Sequence, residues 1–268
     1  MKYYPAVVDE YEITSSCLLP PFRFLASYHY FKKKQDVIKK YVNLFYDIFI
    51  DSGAFSADNC DASIDIDDYC EFILDTGVRK YATLDVIGDP IKTLENHKYM
   101  QEVHGLKPMI TFHMGSTLND LDKLLDFEYL ALGGMVMKGG KFGHLDAVWD
   151  HILRSNKQIK VHGFGLTNVD IIERYPWHSV DSSSFKGCKR FGRQTILWND
   201  FSWKSMDEDA YQKHMQKLGL DFEGMDNKQK WFVYDHYCAQ SYKLYVAHIS
   251  ETHKHKDFNY LTQQYKLF

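Results

Sequence analysis

The sequence has no cysteine framework. Its five cysteines, Cys17, Cys60, Cys70, Cys188 and Cys238, are odd in number and irregularly spaced, and no CxxC pair occurs. That pattern argues against a disulfide scaffold and against a zinc site. No apolar run reaches the roughly 20 residues of a membrane span, and the opening MKYYPAVVDEYE lacks a signal-type apolar segment. A cytoplasmic, reduced protein is expected. Positive charge is not in excess: 32 Lys and Arg against 36 Asp and Glu leave a net −4. Bulk charge would not hold such a chain to nucleic acid, so only a local basic face would. The candidates are Lys32–Lys34 with Lys39 and Lys40, Lys138 with Lys141, and the run Lys186–Arg193. Each, taken alone, is more often a solvated surface. Low-complexity linkers and sequence repeats are also missing.

What is present is a core and a rhythm. Of 268 residues 45% are hydrophobic and 16% aromatic, enough for one large domain. Short apolar runs recur and end in polar residues or glycine: FRFLASYHY, YDIFIDSG, KYATLDVIG, PMITFHMG, YLALGGMV, IKVHGFGLT, HSVDSSS and TILWND. Helix-like stretches separate most of them. DVIKKYVNLF and DIDDYCEFILDTG carry apolar residues at spacings of three and four, and TLNDLDKLLDFE opens on a capping threonine. Eight buried strands alternating with helices predict an α/β fold, a (β/α)8 barrel of TIM type spanning 1–268 as one domain. An open doubly wound sheet is the alternative, and closure is favoured by so many strands in so short a chain. Residues 201–268 read as C-terminal helices packed on the barrel. SMDE at 205–208 resembles a capping box, and Asp226 with Gln229 a second. The aromatic stripe Trp231, Tyr234, Cys238, Tyr242, Tyr245 and Ile249 then falls at helical spacing and reads as packing on the barrel.

A barrel gathers the C-terminal ends of its strands at one mouth. There the sequence places Asp51, Asp85, His113, Gly133, Gly134, Gly165 and Asp181. Carboxylates sharing an apolar-walled mouth repel one another and lose hydration, which drives their pKa values apart and separates a nucleophile from an acid/base. Singly, each aspartate is more often a cap or turn residue, and Asp89 reads as a turn. A lone histidine is usually structural, and the glycine pair is a tight turn about as often as a ligand platform. The joint placement favours a site.

Read in order, DSGAF (Asp51), LDVIGDP (Asp85), TFHMG (His113), ALGGMV (Gly133, Gly134), HGFGLTNVD and VDSSSF (Asp181) resemble the signature of the tRNA-guanine transglycosylase superfamily. The likeness covers residues 47–193 or so. Each motif alone is weak, and six in the family's order are more specific. The resemblance implies a barrel that exchanges guanine for a 7-deazaguanine through a covalent aspartyl-glycosyl intermediate. Asp181 would be the nucleophile and Asp51 the acid/base. Asp85, His113, Gly133, Gly134, Ser52 and Gly165 would hold the base, and Lys186, Lys189, Arg190 and Arg193 the flanking phosphates. No cofactor and no metal are implied.

The departures matter. The tRNA enzymes carry a CxCxxC zinc motif after the nucleophile, where only Cys188 and Cys238 occur here, and His113 replaces the usual glutamine. With the chain's shortness, these features are similar to the DNA-guanine transglycosylase (DpdA-like) branch, associated with phages and bacterial defence clusters. The implied partners are a flipped or single-stranded guanine in DNA and a free 7-deazaguanine base, with no membrane, in a bacterial host's cytoplasm. The rivals are a tRNA-directed enzyme, a sugar hydrolase on the same barrel and a non-catalytic nucleic-acid-binding barrel.

Overall fold

Eight strands run parallel: β1 (Lys2–Val7), β2 (Arg23–Ser27), β3 (Asp47–Asp51), β4 (Lys80–Tyr81), β5 (Ile110–His113), β6 (Tyr129–Gly133), β7 (Lys160–Gly163) and β8 (Ser179–Ser182), in the order β4-β3-β2-β1-β8-β7-β6-β5. A parallel bridge from Ala82 to Met109 joins the two edges, through Thr83 N–H to the Met109 carbonyl at 2.8 Å. The sheet therefore curls into a (β/α)8-like barrel. The computed structural model describes residues 1–58, 60, 62–113, 116–134, 142–155, 157–198, 201–256 and 258.

Strand periodicity sorts the side chains. Tyr4, Leu25, Phe49, Ala82, Met109 and Ala131, one from each of six strands or strand ends, meet inside the ring. Their neighbours, such as Phe24, Ile48, Ile50, Ile110, Phe112, Leu130 and Val180, join the larger outer core with the helices. Burying each such side chain is worth about 1.5–3 kcal/mol. The N-terminal floor of the ring is polar. Lys80 Nζ donates to Asp47 Oδ1, and the Tyr4 hydroxyl donates to Asp47 Oδ2 at 2.9 Å.

Local signals place the helices. Asp65 caps Ile66–Thr76, which ends at Gly77 with φ 71°, and Asp89 caps Pro90–Glu102 with proline in the first turn. Thr117 is the expected cap and forms a capping box with Asp120, but its helix, Leu118–Asp122, is short. The connection between β7 and β8 carries only Val169–Arg174.

Two expectations are corrected. TILWND is not a barrel strand: β9 (Arg193–Leu197) pairs antiparallel with β10 (Trp203–Asp207) outside the ring, and Asp200 lies outside the described residues. The eighth place belongs to β1, whose Pro5 interrupts an otherwise strand-like run, and proline weakens a strand signal. The segment from 201 is accordingly not all helix. Ser205 lies in β10, and Asp207 rather than Ser205 caps Glu208–Lys217 by accepting from Ala210 N–H at 2.8 Å. The second capping box stands: Asp226 and Gln229 open the helix Asn227–Lys254. From its stripe Tyr234, Cys238, Tyr242, Tyr245 and Ile249 are buried, and Tyr242 stacks on Tyr3 of β1 at 5.1 Å. Among the described residues no helix is long and apolar enough to cross a membrane.

Candidate active site at the barrel mouth

Alternation along β3 turns Asp47, Phe49 and Asp51 to one side, and along β8 it does the same for Ser179 and Asp181. Asp51 and Asp181 consequently line one cavity of about 460 Å³, together with Ser27, Phe55, Lys189 and Arg190. The backbone after β3 bends sharply, and the Gly53 N–H donates to Asp51 Oδ2 at 3.1 Å. Only glycine fits there. Its φ is 79°, and a Cβ would come within 2.5 Å of Ser27 Oγ and 2.7 Å of His29 Cβ. Burial, and then the charge of Asp181, push the Asp51 carboxyl up to about 7.

Asp181 is buried, at 5% exposure. Its Oδ1 accepts from His162 Nε2 at 3.1 Å and from the Gly165 N–H at 3.0 Å. No described residue donates to Oδ2. One oxygen is thus anchored while the other is left for a ligand in the cavity. Gly165, with φ 60°, serves as an anchor for the carboxylate.

Asp85 follows β4 at the same end. Burial, and then the Asp51 charge, push it up to about 8. Asp85 Oδ1 and His113 Nε2 are buried atoms with no hydrogen-bond partner among the described residues. Burial also lowers His113, which favours a neutral ring. His113 lines a neighbouring cavity of about 190 Å³ with Thr111 and Asp120, not the one holding Asp51 and Asp181. Gly133 fits tightly, since a Cβ would meet Thr111 Cγ2 at 3.0 Å. Gly133 ends β6, and Gly134, exposed at the strand end, has φ 79°. Ser52 is buried, and its Oγ accepts from Ala54 N–H at 3.4 Å, a turn contact.

The basic run divides. Lys189 and Arg190 are exposed on the cavity rim, Lys189 Nζ over the Tyr11 ring at 5.6 Å and Arg190 donating to Ser183 Oγ at 3.0 Å. Lys186 also lines the cavity, yet it is 4% exposed and paired with the buried Glu12 at 2.5 Å. It is therefore committed to the fold and is not a free phosphate contact. Arg193 starts β9, donates to Ser205 Oγ at 3.4 Å, and does not line the cavity. Lys138 and Lys141 lie outside the described residues.

Sequence reasoning missed His162, Glu12 and Asp235. His162 was legible as a polar residue at an inward position of a buried strand. The Glu12–Lys186 pair joins residues 174 apart and had no local signal. Asp235, 0% exposed with neither carboxyl oxygen partnered among the described residues, is pushed up to about 8 by burial and by Glu12. Among the described residues no cluster of His, Cys, Asp and Glu is arranged to hold a metal. No protein-family model matches this chain, and no curated protein matches it.

Proposed function

We propose that this chain is a guanine transglycosylase that exchanges guanine in DNA for a 7-deazaguanine base. The observation that carries the reading is the shared cavity in which Asp181 has one oxygen anchored and one free, opposite an Asp51 poised at about 7. Asp181 Oδ2 attacks C1′ of the deoxyguanosine as the C1′–N9 bond breaks. The electron pair leaves with guanine, and protonated Asp51 supplies its proton. A free base then attacks C1′ from the vacated face. Its N9 proton goes to Asp51, and the C1′–Oδ2 bond returns its electrons to the Asp181 carboxylate. Two displacements retain configuration, as in retaining glycoside hydrolysis.

Asp85 supports base selection. An unpartnered buried acceptor suits the N–H groups of guanine's Watson–Crick edge, and adenine would leave it unpaired. The Gly133–Gly134 backbone would read the carbonyl or the 7-substituent. The target nucleotide has to be flipped or single-stranded to enter, at a cost of a few kcal/mol. Lys189 and Arg190, exposed on the cavity rim, would take flanking phosphates. DNA is preferred over tRNA because the described residues after Asp181, where the tRNA enzymes carry zinc, form here the short helix Gly187–Phe191, the β9–β10 hairpin and the helices Glu208–Lys217 and Asn227–Lys254. Cys188 and Cys238 there are both buried, and the Cys238 thiol donates to the Thr195 carbonyl.

The test is covalent trapping. Denaturing gels of the protein incubated with guanine-containing oligonucleotide, in DNA and tRNA forms, should show a DNA adduct that Asp181→Ala abolishes. An adduct that survives in Asp181→Ala, or one formed with tRNA alone, removes the nucleophile or the polymer assignment.

A further inference from the structure

Behind Asp181 lies a buried chain of polar groups that the reaction above does not use. The Tyr129 and Ser179 hydroxyls are 2.6 Å apart, Ser179 Oγ is 2.8 Å from His162 Nδ1, and His162 Nε2 is 3.1 Å from Asp181 Oδ1. His162 and Ser179 are 0% exposed and sit side by side in the β7–β8 register. The rings of Phe49 and Phe164 meet the imidazole edge-on at 4.9 and 4.8 Å and hold its plane.

The direction of the chain follows from its last member. An ionised carboxylate only accepts, so His162 Nε2 carries the hydrogen. Nδ1 of a neutral ring is then an acceptor and takes the Ser179 O–H. Ser179 Oγ in turn takes the Tyr129 O–H. Every donor points toward Asp181, and aligned hydrogen bonds of this kind strengthen one another.

We propose that His162 is a positioning residue for the nucleophile, locked in the Nε2–H tautomer by Ser179 and Tyr129, and that this relay speeds breakdown of the glycosyl–enzyme. The inference rests on the transglycosylase reading. Its logic is charge bookkeeping over the two steps. In the first, the Asp181 carboxylate loses its charge on bonding to C1′, and donors on Oδ1 give little help. In the second, the C1′–Oδ2 bond breaks and the charge returns. His162 Nε2–H and Gly165 N–H already hold Oδ1 and stabilise the departing carboxylate without reorganising.

Ser179→Ala tests this with little change of volume, and His162→Gln is the second variant. Nitrogen-15 spectra of wild type should show one dominant His162 tautomer with hydrogen on Nε2, and Ser179→Ala should mix the two. With DNA and 7-deazaguanine, Ser179→Ala should lower kcat on the order of tenfold, about 1.4 kcal/mol, at nearly unchanged KM. It should also raise the fraction of protein trapped as covalent adduct at steady state, and His162→Gln should do so more strongly. A dominant Nδ1–H tautomer in wild type overturns the relay. So does an active Ser179→Ala whose adduct fraction and kcat match wild type. A folded wild type that neither exchanges base nor forms adduct overturns the function itself, whatever the spectra read.

Discussion

At the residue scale the site is an arrangement of unequal carboxyls. Asp51 and Asp85 are pushed up to about 7 and about 8, and burial leads in both. A group poised near neutrality suits the proposed role of Asp51, which would both give and take a proton. Asp51→Asn should cut the exchange rate by roughly 10²–10⁴-fold while the protein stays folded, measured by labelled-guanine incorporation. Wild-type rates in that variant would remove the acid/base role. Asp85 carries two consequences. In the proposed reaction its deprotonated form would accept from guanine N–H groups, so binding of the free base should tighten as pH rises from 6 toward 8, and Asp85→Asn should flatten that dependence. Calorimetry over that range checks both. The second concerns stability. A carboxyl whose folded pKa is raised contributes stability below its unfolded value near 4, and loses it as pH climbs through about 8. Asp85→Asn should therefore raise the melting temperature at pH 8.5, by a gain on the order of 1–3 kcal/mol, and change it little at pH 4. An equal shift at both pH values would contradict the burial that the account assigns to Asp85.

At the element scale the basic run after β8 shows why charge in a sequence is not charge on a surface. Lys186, four residues before Arg190, is spent on Glu12 inside the fold. Lys186→Met strands a buried carboxylate and should cost about 3–5 kcal/mol in denaturant melts. Lys189→Ala with Arg190→Ala should leave the melts unchanged, weaken DNA binding, and flatten its salt dependence by about 1–2 units of log–log slope. If the double variant binds as wild type does, the strand does not pass this rim. The turn after β3 makes a further prediction. Gly53→Ala places a Cβ 2.5 Å from Ser27 Oγ at a left-handed φ of 79° and should lower both stability and exchange activity, read by melting and by adduct formation.

The same elements show what the sequence could tell. Strands β2 to β8 were legible because buried strands leave short apolar runs that end in polar residues, and the mouth aspartates sat at those ends. β1 was hidden by Pro5. TILWND misled because a half-buried hairpin strand has the same local composition as a barrel strand, and only its long-range pairing with Trp203–Asp207 tells them apart. Asp51 and Asp181 could be placed together because barrel topology alone converges strand ends. The separate cavity of His113 and the pairing of Lys186 depend on which side chain meets which across the fold, and no spacing encodes that. His162 was within reach, since a strand's period of two turns it inward with Ser179, but its glycine neighbours drew the motif reading.

At the scale of the whole molecule, a chain of net −4 presents its functional charge locally. A barrel whose floor is closed by Asp47, Lys80 and Tyr4 opens at the other end on two carboxylates and a cationic rim. The central claim is that this mouth replaces guanine in DNA through Asp181. The most direct measurement is mass analysis of nucleosides digested from DNA incubated with the protein and a free 7-deazaguanine base alone. The expected result is a new 7-deazaguanine deoxynucleoside, released guanine in equal amount, and neither with Asp181→Ala. DNA that returns only its four ordinary nucleosides, or a product undiminished in Asp181→Ala, would contradict the account.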